Sequence, residues 1–150
     1  MKQFSSLYGQ ALSTLKSNTL ANMTDDDIES YLFNLAVRAI ASFKFPRVSL
    51  DYEDTATGYA FKEEVSQKEI NVLLAYMKMY WLEQQIDDEQ RMENLYYDKD
   101  VKTFSRGNML KALKDRYELA QKQVKKVEYD YSRTRDENGV IGVGRIYSDE

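Results

Sequence analysis

RGNMLKALKDRYELAQKQVKKVEYDY, residues 106–131, is the stretch that decides how this chain folds. Its apolar residues fall at Leu110, Leu113, Tyr117, Ala120, Val124, Val127 and Tyr131, a spacing of 3, 4, 3, 4, 3, 4. That is the seam of an α-helix packed lengthwise on another helix. Between the seam positions the residues are almost wholly polar, so the stripe would stay wet in isolation. At 1.5 Å per residue the helix is about 40 Å long. Two of the four alternate seam positions are tyrosine, which suits a self-sufficient two-stranded zipper poorly. The stripe is therefore expected to pack on other helices of the same small domain.

Working back towards the N-terminus, Asp98–Ser105 reads as a loop anchored by Phe104, with Ser105 capping the long helix. Ser66-Gln67-Lys68-Glu69 has the form of a capping box. It opens a helix with an inner face of Ile70, Leu73, Leu74, Met77 and Trp81, and further apolar surface at Val72, Tyr76, Met79, Tyr80 and Leu82. A helix apolar around so much of its circumference is buried on several sides. It is either the centre of the bundle or a helix that also faces a neighbouring subunit. Its pattern weakens after Asp87-Asp88-Glu89-Gln90.

Lys44–Val65 holds the single proline, Pro46, and shows no helical stripe. We expect an ordered surface loop there, with a short strand around Val48 and Leu50. Long loops in small domains are often functional, and this one is expected to grip a neighbouring subunit. Tyr52, Tyr59 and Phe61 of the loop, with Tyr76 and Tyr80 of the helix, are the candidate subunit-interface residues. Further back, Phe4, Leu7, Ala11, Leu12 and Leu15 predict a short amphipathic helix, ended by a break at Ser17-Asn18-Thr19. Thr24 followed by Asp25, Asp26 and Asp27 reads as an N-cap with acids in the first turn. The stripe Ile28, Leu32, Leu35, Ala36, Ala39, Ile40, Phe43 carries that helix to about residue 43.

At the other end, Asn138-Gly139 is a strong turn signal. Val140, Ile141, Val143, Arg145, Ile146 and Tyr147 follow in a glycine-spaced, β-prone run. An extended arm that adds a strand to another chain is the reading its apolar content favours. The expected fold class is all-α: a helical bundle of three to four helices with a long C-terminal helix over 1–135, an extended loop, and an arm over 136–150.

Composition narrows the function classes. The 150 residues lack both cysteine and histidine, the commonest sources of thiol nucleophiles, general bases and transition-metal ligands. Asp51/Glu53/Asp54 and Asp87/Asp88/Glu89 lack calcium-loop spacing, and Gly139, Gly142 and Gly144 do not make a dinucleotide fingerprint. No catalytic, cofactor-binding or metal-binding residue is therefore assigned, and no enzymatic activity is expected. No apolar run reaches the length of a membrane span. The start lacks the apolar core of a signal peptide, so an intracellular chain is expected.

Net charge is −4, but unevenly spread. Residues 1–100 carry ten basic and seventeen acidic side chains, residues 101–135 ten and four, and the last fifteen one and four. Such polarity suits faces of opposite sign meeting in an assembly. A nucleic-acid-binding or regulatory module using Lys111, Lys114, Lys122, Lys125 and Lys126 is the competing reading, weakened because these charges look dispersed around the helix.

Phe45-Pro46-Arg47-Val48, the helix from Glu69 to Met77 continuing to Trp81–Ile86, and Asp98–Leu110 leading into a charged helix together resemble the neck proteins of tailed bacteriophages. These are the head–tail connector, or adaptor, proteins, and the likeness spans residues 25–132. The resemblance implies a homo-oligomeric ring, typically dodecameric, beneath the portal protein in the virion. Such a ring extends the channel for genomic DNA without reading its sequence, and offers a platform to a stopper or tail-completion protein. It also implies a C-terminal segment that docks on the portal, a role residues 136–150 fit in position.

Overall fold

A computed structural model describes residues 2–15, 23–95 and 100–133. The chain runs α1 (Phe4–Thr14), α2 (Asp25–Ser42), β1 (Tyr52–Thr55), β2 (Gly58–Phe61), α3 (Gln67–Leu95) and α4 (Asp100–Arg133). The seam reading of residues 106–131 holds. Ala120, Val124 and Tyr131 are buried, and Leu113, Tyr117 and Val127 pack half-buried against the same core. α3 and α4 form a long hairpin, with Tyr76 meeting Glu128 and Glu69 meeting Tyr131.

The centre of the bundle is α3. Ile70, Val72, Leu73, Tyr76, Met77, Trp81 and Leu82 all lie in the core, because α3 has neighbours on several sides. α2 runs antiparallel to it: Arg38 pairs with Glu83 at 3.0 Å, and the Ser42 and Tyr80 hydroxyls are hydrogen-bonded. The Arg38 pair is exposed and contributes at most about 1 kcal/mol. α1 joins where Gln67 Nε2 donates to Gln10 Oε1 at 2.7 Å.

The N-cap expected at Thr24 is present, its hydroxyl accepting the Asp27 N–H at 3.2 Å. Leu32, Leu35, Ala36, Ala39 and Phe43 form the buried stripe of α2. In α1, Phe4, Leu7, Ala11 and Leu15 point inward, but Leu12 is exposed and Tyr8 takes the inner place expected of it. The break expected at Ser17-Asn18-Thr19 lies outside the described residues.

Three expectations change. The fold is mainly α rather than all-α, since the loop over 44–65 contains an antiparallel hairpin. Its strands are not at Val48 and Leu50 but at Tyr52–Thr55 and Gly58–Phe61, where Tyr52 faces Phe61 and Asp54 faces Tyr59. Ala56 and Thr57 make the turn without positive φ, so Gly58 carries it at φ 108°. A side chain there would be strained. The hairpin is not free-standing: Phe61 N–H donates to the Lys2 carbonyl at 3.0 Å, and Gln3 bridges Ala60. Two strands alone are marginal in water, so packing on α1 and α2 holds them. Finally, α3 runs to Leu95 and α4 starts at Asp100, so residues 100–105 are helical rather than a loop. Helix propagation over a weak segment is cheap once a long helix is nucleated.

Candidate functional site

Along the α3–α4 hairpin lies an open groove of about 970 Å³. Its α3 wall presents Lys68, Asn71, Leu74, Ala75 and Lys78, its α4 wall Arg116, Leu119, Gln123, Val127 and Asp130, and Thr14 of α1 closes one end. The floor is apolar and the rim carries three cations. Leu119 is 65% exposed, an uncommon setting for a leucine on a helix whose seam is already satisfied.

The outer face of α4 is the second feature. At about 100° per residue, Lys111, Lys114, Lys122, Lys125 and Lys126 fall within an arc of about 120°, opposite the seam and along about 22 Å of helix. All five are exposed. The lysines are thus gathered on one face and not dispersed, with Asp115 and Glu118 set among them. A helical projection of the sequence contains this signal; reading the charges along the chain does not.

At the C-terminal end of α4, where Tyr131 also lines the groove, a polar clasp ties down the proline-containing segment. The Arg47 N–H donates to the Tyr131 hydroxyl at 2.9 Å, and that hydroxyl donates to Glu69 Oε1 at 3.1 Å. The Arg47 guanidinium donates to the Tyr131 carbonyl at 2.9 Å and lies 4.8 Å from its ring centre. Ser66 donates to the other oxygen of Glu69, a side-chain contact in place of the expected capping box, whose bonds run to backbone N–H groups. Glu69 is 5% exposed, and these partners are what make a buried carboxylate tolerable. Nearby, Glu128 accepts from the Tyr76 hydroxyl at 2.7 Å and from the Lys44 N–H at 3.2 Å.

Burial raises the pKa of four tyrosines. Tyr31 and Tyr131 are pushed up to about 12, and Tyr8 and Tyr76 further. For Tyr131 burial is the main cause, the Glu69 charge adds to it, and Arg47 opposes it. The fold therefore favours the protonated phenols. Their contribution is complete below the ordinary value of 10.0, and is lost as pH climbs from there through the raised values. Urea midpoints are expected to be flat in this respect up to about pH 9.5 and to fall between about pH 10 and 12. The Tyr31 hydroxyl is buried with no hydrogen-bond partner among the described residues. Tyr31→Phe is accordingly expected to leave stability unchanged or raise it by up to about 1 kcal/mol, read from the urea midpoint.

The candidate interface residues separate. Phe61 is 0% and Tyr76 6% exposed, both within the subunit's own core. Phe61 is covered by α1 through Phe4, and Tyr76 by α4 through Glu128. Tyr80 is half-buried beneath Arg38, whose guanidinium carbon lies 4.0 Å from the ring centre. Tyr52 and Tyr59 are half-buried in an aromatic cluster, where Phe33 stacks on Tyr59 at 4.4 Å and meets Tyr52 edge-on at 5.9 Å. These two keep an accessible edge. The arm residues Val140, Ile141, Val143, Arg145, Ile146 and Tyr147 lie outside the described residues.

Among the described residues, no group of three or more carboxylates is placed to hold a metal ion. No described helix is long and apolar enough to cross a membrane. No protein-family model, curated protein or solved structure matches the chain.

Proposed function

We propose that this chain is the subunit of a ring-shaped head–tail connector in the neck of a tailed bacteriophage virion. The ring, typically of twelve copies, sits beneath the portal protein, passes the genomic DNA without reading its sequence, and receives a stopper or tail-completion protein. Residues 136–150 serve as the arm that docks on the portal, and the subunit performs no catalysis. The observation that carries this reading is the α3–α4 hairpin. Its helices, 29 and 34 residues long, are far longer than α1 at 11 or α2 at 18, and they leave an open groove with an apolar floor between residues 68–82 and 116–131. Such a surface suits lasting contact with another chain. The motif at Phe45–Val48, which contributes to the resemblance, supports it too, because Arg47 is the residue that clasps the end of α4.

Immunogold labelling of purified particles tests the reading. Label is expected at the head–tail junction, and particles lacking residues 136–150 of this chain are expected to lose tails while retaining filled heads. Label confined to the tail tip, or absent from particles, would reject it.

A further inference from the structure

One end of the α3–α4 groove lies where the chain leaves α4. Glu69 meets Tyr131, so the start of α3 stands beside the end of α4, and Lys68 marks that end of the groove. Lys78, about 15 Å further along α3, and Arg116, about 22 Å back from Tyr131 along α4, stand towards the other. Between them the floor is apolar, with Leu74, Leu82, Ala120 and Val127, and Leu119 is left exposed at its edge. Asp130 is the one acid on the lining. A segment that fits here carries apolar side chains in its middle and acids at its two ends. A bare phosphate backbone would meet the cations and leave the floor uncovered.

The sequence after α4 has that pattern. Val140, Ile141, Val143, Ile146 and Tyr147 form the apolar run. Asp136 and Glu137 precede it, Asp149 and Glu150 follow it, and Arg145 is the single cation among residues 136–150. The lengths agree as well. α4 ends at Arg133, within one turn of Tyr131 and Asp130 on the groove wall. Asn138-Gly139 is a signal for reversing the chain. From Val140 to Tyr147 an extended backbone covers about 23 Å, against about 22 Å of groove between Tyr131 and Arg116.

We propose that residues 140–147 of this chain turn back at Asn138-Gly139 and occupy the α3–α4 groove of their own subunit, antiparallel to α4. In this register Asp136 and Glu137 come to the Lys68 end, Ile146 comes beside Leu119, and Asp149 and Glu150 come to the Arg116 end. The floor supplies burial, and the end charges select this register over its reverse slip. The proposal goes beyond the connector reading and stands without it. Where that reading holds, the groove keeps the arm until the portal takes it.

Engineered disulfides test this on the full chain, whose lack of native cysteine keeps the chemistry clean. One variant carries L119C and I146C, the other K125C and I146C; Leu119 and Lys125 are both exposed. Lys125 lies nearer to the end of α4 but on its outer face, so tether length alone favours the second pair. Under mild oxidation the first pair is expected to close within one chain at least about tenfold faster than the second, read on a non-reducing gel. Adding K78E and R116E to the first variant is expected to remove that advantage. Equal rates, a faster second pair, or an advantage that survives the charge reversal would overturn the proposal. So would crosslinks that form between chains, which would make a second copy's arm the occupant. The connector reading fails separately: unlabelled particles with the fast pair intact remove the portal and keep the groove contact, while labelled particles with equal rates do the reverse.

Discussion

Replacing Phe61 with alanine is expected to lower stability by about 3–5 kcal/mol, among the largest effects available to a single substitution in this chain. Phe61 has no accessible surface and packs its ring 4.6 Å from that of Phe4, which in turn meets Tyr8, Phe33, Tyr52 and Tyr59. Removing the ring takes a wedge from between the hairpin and α1. The cavity cannot collapse easily, because β2 is pinned on both sides by Tyr52 opposite Phe61 and by the Lys2 carbonyl. The contrast is Phe45→Ala, where the side chain is 57% exposed and the expected change is within about 0.5 kcal/mol. Urea denaturation of the two variants side by side checks both numbers. A small loss at Phe61 would mean that the hairpin detaches without disturbing the bundle.

Tyr131→Phe is expected to cost about 1.5–3 kcal/mol, because its hydroxyl is both acceptor for the Arg47 N–H and donor to the Glu69 carboxylate. The substitution leaves the ring in place, still edge-on to Phe43 at 5.1 Å, so the loss reports the polar clasp and not packing. Glu69→Gln weakens the same hydrogen bond and also the one from Ser66. The double variant is expected to cost less than the sum of the two singles by about 1 kcal/mol, the signature of groups that act as one network. Simple additivity in the measured cycle would show that Tyr131 and Glu69 are not coupled. The clasp also joins Arg47 to the end of α4, so its loss is expected to loosen the segment that carries the phage-neck resemblance.

Two parts of the site were within reach of the sequence for different reasons. The seam of α4 was readable because a period of 3.5 in apolar residues has one meaning in water. The cap at Thr24 was readable because orphan N–H groups at a helix start call for local acceptors. The hairpin itself was not legible, and the one strand expected lies a few residues too early. Val48 and Leu50 alternate correctly, but the pairing is set by Gly58 opposite Thr55, by Tyr52 opposite Phe61, and by α1 covering their inner face. The aromatic residues of that loop read as surface grips for a related reason. Sequence shows that Phe61 and Tyr76 are large and apolar, but not whether the chain itself or a neighbour covers them.

By itself the sequence determined the helices and their inward faces, since each depends on spacing along one element; the gathering of the lysines on one face of α4 lies in the same spacing but emerges only on helical projection, where reading along the chain suggests dispersal. The depth of Glu69, the groove between α3 and α4, and the stacking of Phe33 on Tyr59 were decided only in three dimensions. Each of these arises where two elements far apart in the chain meet, and no local period records which side chains will face one another across such a junction.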